Sequence, residues 1–259
     1  MKIAIIGAGN MGKAIVKGLY ESNLCNANDL FVADIDQNNL DEIKKIDENI
    51  FTTIDNKKAV QQVNYVLLAV KSWMMDDVIV SMRSALNAVQ HAIISIAAGV
   101  DLQSIALKAG DDFTLFRVLP NTAISLGESM TFISSLNASK KQEDEVQALF
   151  GKLGKVMTIT ESSMAAFTSI SSCGIAYALR FIRAATEGAV ELGIHPEVAQ
   201  EVIAQTVIGA AQLLLKNRSN PESEIDKVTT PGGWTIKGLN RMEEYGFSNA
   251  VIKGIKANI

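Results

Sequence analysis

The chain is short of the residues that most small-site chemistries need. Among 259 residues there are two cysteines, Cys25 and Cys173, far apart in sequence. That excludes a disulfide framework and fits a reducing compartment. Two histidines, His91 and His195, stand alone, with no cysteine or carboxylate at metal-ligand spacing. No metal site is therefore expected. Basic residues do not outnumber acidic ones: 24 against 28 give a net charge of −4, with no basic run. Nucleic acid is not an expected partner. The apolar run Ile3–Ile6 is too short for a signal-peptide core, and glycines follow at once. No stretch approaches the roughly 20 apolar residues of a membrane span, so the expectation is a soluble cytoplasmic protein without a membrane partner.

What is present falls into two halves. Up to about residue 160, short apolar runs alternate with helical stretches. Ile3–Ile6, Leu30–Ala33, Tyr65–Val70, Ile93–Ile96 and Leu115–Leu119 read as buried parallel strands. Lys13–Tyr20, Asn39–Lys45 and Met74–Leu86 read as the helices between them. This alternation predicts a parallel sheet covered on both faces. Met130–Ile133 and Lys155–Ile159, flanking a helix near Lys141–Phe150, are expected to extend it. From Ser162 onward no strand-like run occurs. Ile175–Leu192 predicts one helix stopped by Gly193, and His195-Pro196 opens a second, running to Lys216. In that second helix Val202, Ile203, Val207, Ile208, Leu213, Leu214 and Leu215 lie around most of the circumference. Such a helix must be covered on several sides. A second subunit is the expected cover; the plainer reading is the central helix of a monomeric bundle. The fold class is thus α/β: a Rossmann-type dinucleotide-binding domain over 1–160, then an all-helical substrate-binding and dimerisation domain over 161–259.

The first chemical motif is Gly7-Ala8-Gly9-Asn10-Met11-Gly12, between a predicted strand and a predicted helix. Gly7 permits the tight turn, Gly9 leaves room for a pyrophosphate, and Gly12 lets helix and strand pack closely. The free N–H groups of the helix start suit phosphate. A glycine-rich turn with only a packing role is the plainer reading. Asp34 ends the next strand, about 20 residues past the last glycine, where a carboxylate accepts bonds from a ribose hydroxyl. It would repel a 2′-phosphate, so it leans toward NADH over NADPH. No Arg or Lys follows closely; Lys44 is the nearest. Alternatively Asp34 is a solvated turn residue with Asp36 beside it.

Further stretches resemble the pyrroline-5-carboxylate reductase family along nearly the whole chain. IGAGNMGKAI resembles the family's opening, Leu68-Ala69-Val70-Lys71 its AVKP, Ser95–Val100 its SIAAGV, and Arg117–Thr122 its R-x-x-PNTP. Ser172–Tyr177 stands where the family has GSGPAY, and Thr229–Ile236 where it has SSPGGTTI. There are departures: Ser72, Ala123 and Ile175 replace prolines, Cys173 replaces a serine, and Trp234 replaces a small residue. A bulky Trp234 beside the substrate loop bears on substrate scope.

The resemblance implies hydride transfer from NADH or NADPH to the cyclic imine of 1-pyrroline-5-carboxylate, giving proline, in a homodimer or an oligomer of dimers. It implies substrate contacts from Gly232, Gly233, Trp234, Thr235, Cys173 and Glu161. Cofactor contacts are implied from the Gly7–Gly12 turn, Asp34, Asn56, Ala69, Val70, Lys71, Ala97, Ala98 and Asn121. The residues themselves agree in part: Gly232 and Gly233 offer backbone N–H groups just before a helix expected near Thr235. Plainer readings stand beside these: Thr235 as a helix cap, Lys71 and Glu161 as solvated charges, Cys173 as a small buried residue. Two alternatives are a reductase of the beta-hydroxyacid dehydrogenase type and a non-catalytic cofactor sensor. The first uses a helix lysine, and Ile175–Leu192 has none. The second needs no substrate loop.

Overall fold

In the computed structural model, which describes all 259 residues, the chain forms two compact units, Met1–Ser172 and Cys173–Ile259. The first is built on one eight-stranded sheet. Its strands are β1 (Ile3–Ile6), β2 (Leu30–Ala33), β3 (Phe51–Thr53), β4 (Tyr65–Leu68), β5 (Ala92–Ser95), β6 (Thr114–Leu119), β7 (Ser129–Leu136) and β8 (Gly154–Thr158). Their spatial order is β3-β2-β1-β4-β5-β6-β7-β8. The first six strands are parallel, in the order of a doubly wound dinucleotide-binding sheet.

The expectation of a parallel sheet needs one correction. β7 runs antiparallel to β6, and β8 follows β7. The link Pro120–Glu128 holds only a 3-10 turn, too short for the crossover that a parallel partner needs. No apolar run marks β3, an edge strand of three residues that are exposed or half-buried.

Helices of the first unit are α1 (Asn10–Glu21), α2 (Gln37–Lys44), α3 (Asn56–Val60), α4 (Met75–Met82), α5 (Leu102–Ala109), α6 (Lys140–Gly151) and α7 (Met164–Ile170). Alternation along β1 divides the core. Ile3 and Ile5 face a cluster with Ile15, Leu19, Leu40, Ile43 and Phe150 from α1, α2 and α6. Ala4 and Ile6 face the opposite cluster, with Val60, Met75, Ile79, Ile105 and Ala109 from α3, α4 and α5. Side chains start several helices: Asp36, Asp55 and Asp101 cap α2, α3 and α5, and Ser139 with Gln142 forms a capping box on α6.

The second unit is helical throughout: α8 (from Ser172 to Glu191), α9 (Pro196–Asn217), α10 (Pro221–Val228), α11 (Trp234–Glu244) and α12 (Phe247–Lys256). Gly193, at φ +87, stops α8 as its sequence predicts, and Pro196 opens α9. α8 begins three residues earlier than expected, before Ile175. Within this unit only Thr186 and Ala199 are buried.

Here a second expectation fails. Glu161–Glu191 and Pro196–Asn217 are each long and apolar enough, by length and composition, to cross a membrane, and only 6% of each apolar window is buried within the chain. Scattered polar residues interrupt the apolar runs, yet the windows remain apolar on average.

Candidate active site

The first unit has a cleft of about 310 Å³ at the C-terminal ends of β1, β2 and β4. This is where strand order reverses, the place where open α/β sheets bind ligands. Seven of the residues expected to touch a cofactor line it: Gly7, Gly9, Asp34, Asn56, Ala69, Val70 and Lys71.

Each glycine of the first turn has its own reason. Gly7 takes φ +100, and a Cβ there would lie 2.8 Å from the Ala69 carbonyl oxygen. At Gly12 a Cβ would lie 2.0 Å from the Gly7 oxygen, so helix and turn touch directly. Gly9 is different: nothing lies within 4 Å of a Cβ placed there, and the residue lines the cleft. A side chain at Gly9 would fill the cradle. Gly9 is also the N-cap of α1 and offers no side chain, so the helix start keeps free N–H groups for an anion. The cleft thus fits the dinucleotide that its sequence predicts. Ala8 and Gly12 are buried behind it, whereas Asn10 is exposed on the first turn of α1 and Met11 is half-buried there.

Asp34 is more constrained than its sequence position suggests. Its Oδ2 accepts from the Ala8 N–H at 2.6 Å and from Asn39 Nδ2 at 3.3 Å; its Oδ1 accepts from the Asp36 N–H at 2.9 Å. The carboxylate therefore ties the glycine turn to the start of α2. Asp36 and Asn39 also line the cleft, as do Ile35, Met74 and Val78. The sequence reading did not assign these five to the site. Asn39 lies one turn into α2 and Met74 and Val78 are spaced i, i+4, so helical spacing from the two strand ends was the available signal. Lys44, the nearest cation in sequence, donates to the carbonyl oxygens of Glu48 and Ile50 at 2.7 and 2.6 Å.

The remaining first-unit residues sit at strand ends outside this cleft. Ala97 is buried and Ala98 exposed, in the turn after β5. Asn121, 6% exposed, caps the 3-10 turn after β6 through Ala123 N–H and donates to Ser171 Oγ at 3.2 Å. Glu161 Oε1 accepts from the Leu102 N–H at 2.7 Å and from Arg117 Nη1 at 3.2 Å. It is therefore partnered rather than a free surface charge.

In the second unit, Pro231–Gly233 forms the turn before α11. Gly232 takes φ +72, and a Cβ at Gly233 would lie 2.5 Å from Thr230 Oγ1. Gly233, not Thr235, is the N-cap, so the helix starts at Trp234 and Thr235 lies inside its first turn. This removes the capping alternative for Thr235 and leaves a helix start without a side-chain cap. Trp234 is 92% exposed beside it. Cys173 is half-buried near the start of α8 and is not in a disulfide.

Two family models match separate parts of the chain. Residues 161–259 match the family model described as pyrroline-5-carboxylate reductase dimerisation, and residues 2–99 match that described as NADP oxidoreductase coenzyme F420-dependent. The chain is 37% identical to pyrroline-5-carboxylate reductase 1 of Dictyostelium discoideum over 98% of its own length, but spans about half, 48%, of that relative. It is 35% identical to pyrroline-5-carboxylate reductase 2 of the same organism, covering 98% of this chain and 89% of the relative. Among solved structures, a pyrroline-5-carboxylate reductase from Coxiella burnetii superposes with a TM-score of 0.91 at 28% identity, covering 99% of this chain and 95% of the other.

Proposed function

The chain belongs to the pyrroline-5-carboxylate reductase family, and from that membership we propose that it reduces 1-pyrroline-5-carboxylate to proline with a nicotinamide cofactor. The observation that carries this reading is the cleft in which the Gly7 turn, Asp34 and the end of β4 meet. A reduced nicotinamide, when bound, supplies the hydride for the imine carbon. The residues of the chain bind and orient. The uncapped start of α1 receives the pyrophosphate. Asp34, fixed by Ala8, Asp36 and Asn39, receives the ribose hydroxyls. Asn56 lies toward the adenosine, and Lys71 beside the phosphates. Ala97, Ala98 and Asn121 lie toward the nicotinamide.

The cofactor is NADH in preference to NADPH. A 2′-phosphate would meet the carboxylates of Asp34 and Asp36, and Lys44 is already engaged with backbone carbonyls. The description of the N-terminal family model names NADP, so the preference rests on these residues alone.

On the substrate side, the N–H groups of Gly232, Gly233 and the start of α11 hold the carboxylate. The Thr235 hydroxyl bonds the ring nitrogen or passes it a proton through water. Cys173 and Trp234 border the ring. A protonated imine is already electrophilic, so no Ser–His–Asp arrangement is needed. Residues 1–160 serve the cofactor, and 161–259 carry the substrate loop and the dimer surface. A second copy of the chain covers the apolar faces of α8 and α9; the family description of this region supports that cover over a membrane. The protein is then soluble, and two unpaired cysteines suit the cytoplasm.

The test is a coupled comparison. Purified protein should oxidise NADH with pyrroline-5-carboxylate and not with a keto acid. NADH should exceed NADPH in kcat/KM by about tenfold, the scale of one unfavourable charge contact. Asp34→Ser should narrow that ratio. Preference for NADPH in the unmutated enzyme would contradict the role of Asp34. Thr235→Ala should lower kcat/KM about a hundredfold, typical of a lost proton-transfer group, with NADH affinity unchanged; equal loss of both would count against Thr235.

A further inference from the structure

Glu161 joins three elements. The N–H it accepts belongs to Leu102, the first residue of α5. The capping residue Asp101 meanwhile accepts from Ser104 N–H at 2.6 Å. One helix start is therefore held by two carboxylates, its own and one from 59 positions further along the chain. The third element is β6. Arg117 pairs in register with Ser95 of β5, and its side chain is 12% exposed against 31% for Glu161. Arg117 Nε is buried without a partner in the chain, so the contact through Nη1 is the direct neutralisation of this guanidinium. Losing the partner of a buried charge is far more costly than losing a surface pair.

These contacts close around the turn Ile96–Asp101. Gly99 gives it φ +80, and Ala97 N–H donates to Ser95 Oγ at 3.3 Å. The turn leaves the C-terminal end of β5, on the ligand-binding edge of the sheet.

We propose that Glu161 is a positioning residue: paired with Arg117, it clamps the Ala97–Gly99 turn in the shape that receives the nicotinamide end of the cofactor, and does not grip the imine. The identity of the ring rests on the reductase reading above; the clamp itself rests on the geometry. The clamp couples a β-strand arginine to the start of α5 through a carboxylate from a distant part of the chain. Two residues acting through one contact should behave as a unit, which a substrate ligand and an independent structural arginine would not.

The experiment titrates NADH by fluorescence, without substrate, on wild type, Glu161→Ala, Glu161→Gln, Arg117→Met and the double variant Glu161→Ala/Arg117→Met. Hydrogen exchange of the peptide spanning Leu102 is followed in parallel. Glu161→Ala and Arg117→Met should each weaken NADH about tenfold, the scale of one bond to a charged group. The double variant should be no weaker than either single change. Glu161→Gln, which keeps an oxygen for the Leu102 N–H, should weaken it only about threefold and keep the exchange protection that Glu161→Ala loses. The imine KM at saturating NADH should stay within about twofold throughout. Unchanged NADH affinity in Glu161→Ala with a raised imine KM would overturn the clamp, as would additive effects in the double variant. Absence of imine turnover in the wild type would sink the reductase reading instead, and the NADH titrations would still judge the clamp.

Discussion

The two compact units differ in where their apolar side chains go. In the first, both faces of the sheet are covered, and Ile5, Ile6, Leu67, Leu68 and Phe116 are sealed. In the second, Leu179, Val202, Ile208, Leu213 and Val251 are all exposed in the single chain. The first unit has its own core; the second has helices in need of a cover. Where exposed apolar side chains gather into one large patch, they mark an interaction site. Burial within the chain thus separates the half that holds the glycine-turn cleft from the half that matches the dimerisation model.

That contrast can be broken most forcefully in the second unit. Ile208→Glu puts a charge on the exposed face of α9. If a second copy buries that face, association should weaken by about 3 kcal/mol, the cost of an unpaired buried charge. Sedimentation velocity should then show monomer where wild type shows dimer. A solvent-facing position would change stability by no more than about 0.5 kcal/mol, and an unchanged sedimentation profile would deny the interface.

The converse change belongs to the first unit. Gly12→Ala drives a methyl against the Gly7 carbonyl oxygen. Overpacking of this kind should cost about 2 kcal/mol of stability in urea unfolding and weaken NADH binding. The oligomeric state should persist. Loss of the dimer as well would show that the two halves are not separable in this way.

The smallest effect concerns the cap of α5. The hydroxyl and backbone N–H of Ser104 hold the Asp101 carboxyl below the ordinary Asp range. Its contribution to stability is therefore present above that range and fades as pH falls through the lowered value. Asp101→Asn should flatten the acid limb of the stability profile by less than about 0.5 kcal/mol after solvent screening, read from urea midpoints between about pH 5 and about pH 2.5, either side of the ordinary Asp pKa of about 3.9. A steeper acid limb in the variant would contradict the assignment.

Much of this was legible in the residues. Buried parallel strands read as apolar runs, so β1, β2, β4, β5 and β6 stood out; β3, three residues at an edge, did not. The direction of β7 is set by the short Pro120–Glu128 link, a matter of reach rather than pattern. The glycine turn announced itself because backbone geometry demands glycine at Gly7 and Gly12. The bonds from Ala8 and Asn39 to Asp34 were hidden, since they join residues that only the folded sheet edge brings together. The bonds of Glu161 were hidden for the same reason: nothing local in the sequence points to Leu102 or Arg117. The membrane-length helices were hidden because polar residues break their apolar runs while each window stays apolar on average.

The central claim is direct hydride delivery to an imine carbon in this chain. It is tested by turnover of pyrroline-5-carboxylate with NADH carrying deuterium at both hydrogen positions of nicotinamide C4, followed by mass spectrometry of the product. The account predicts proline carrying one deuterium at the former imine carbon. Unlabelled proline, or no proline with the deuterated cofactor left intact, would contradict it.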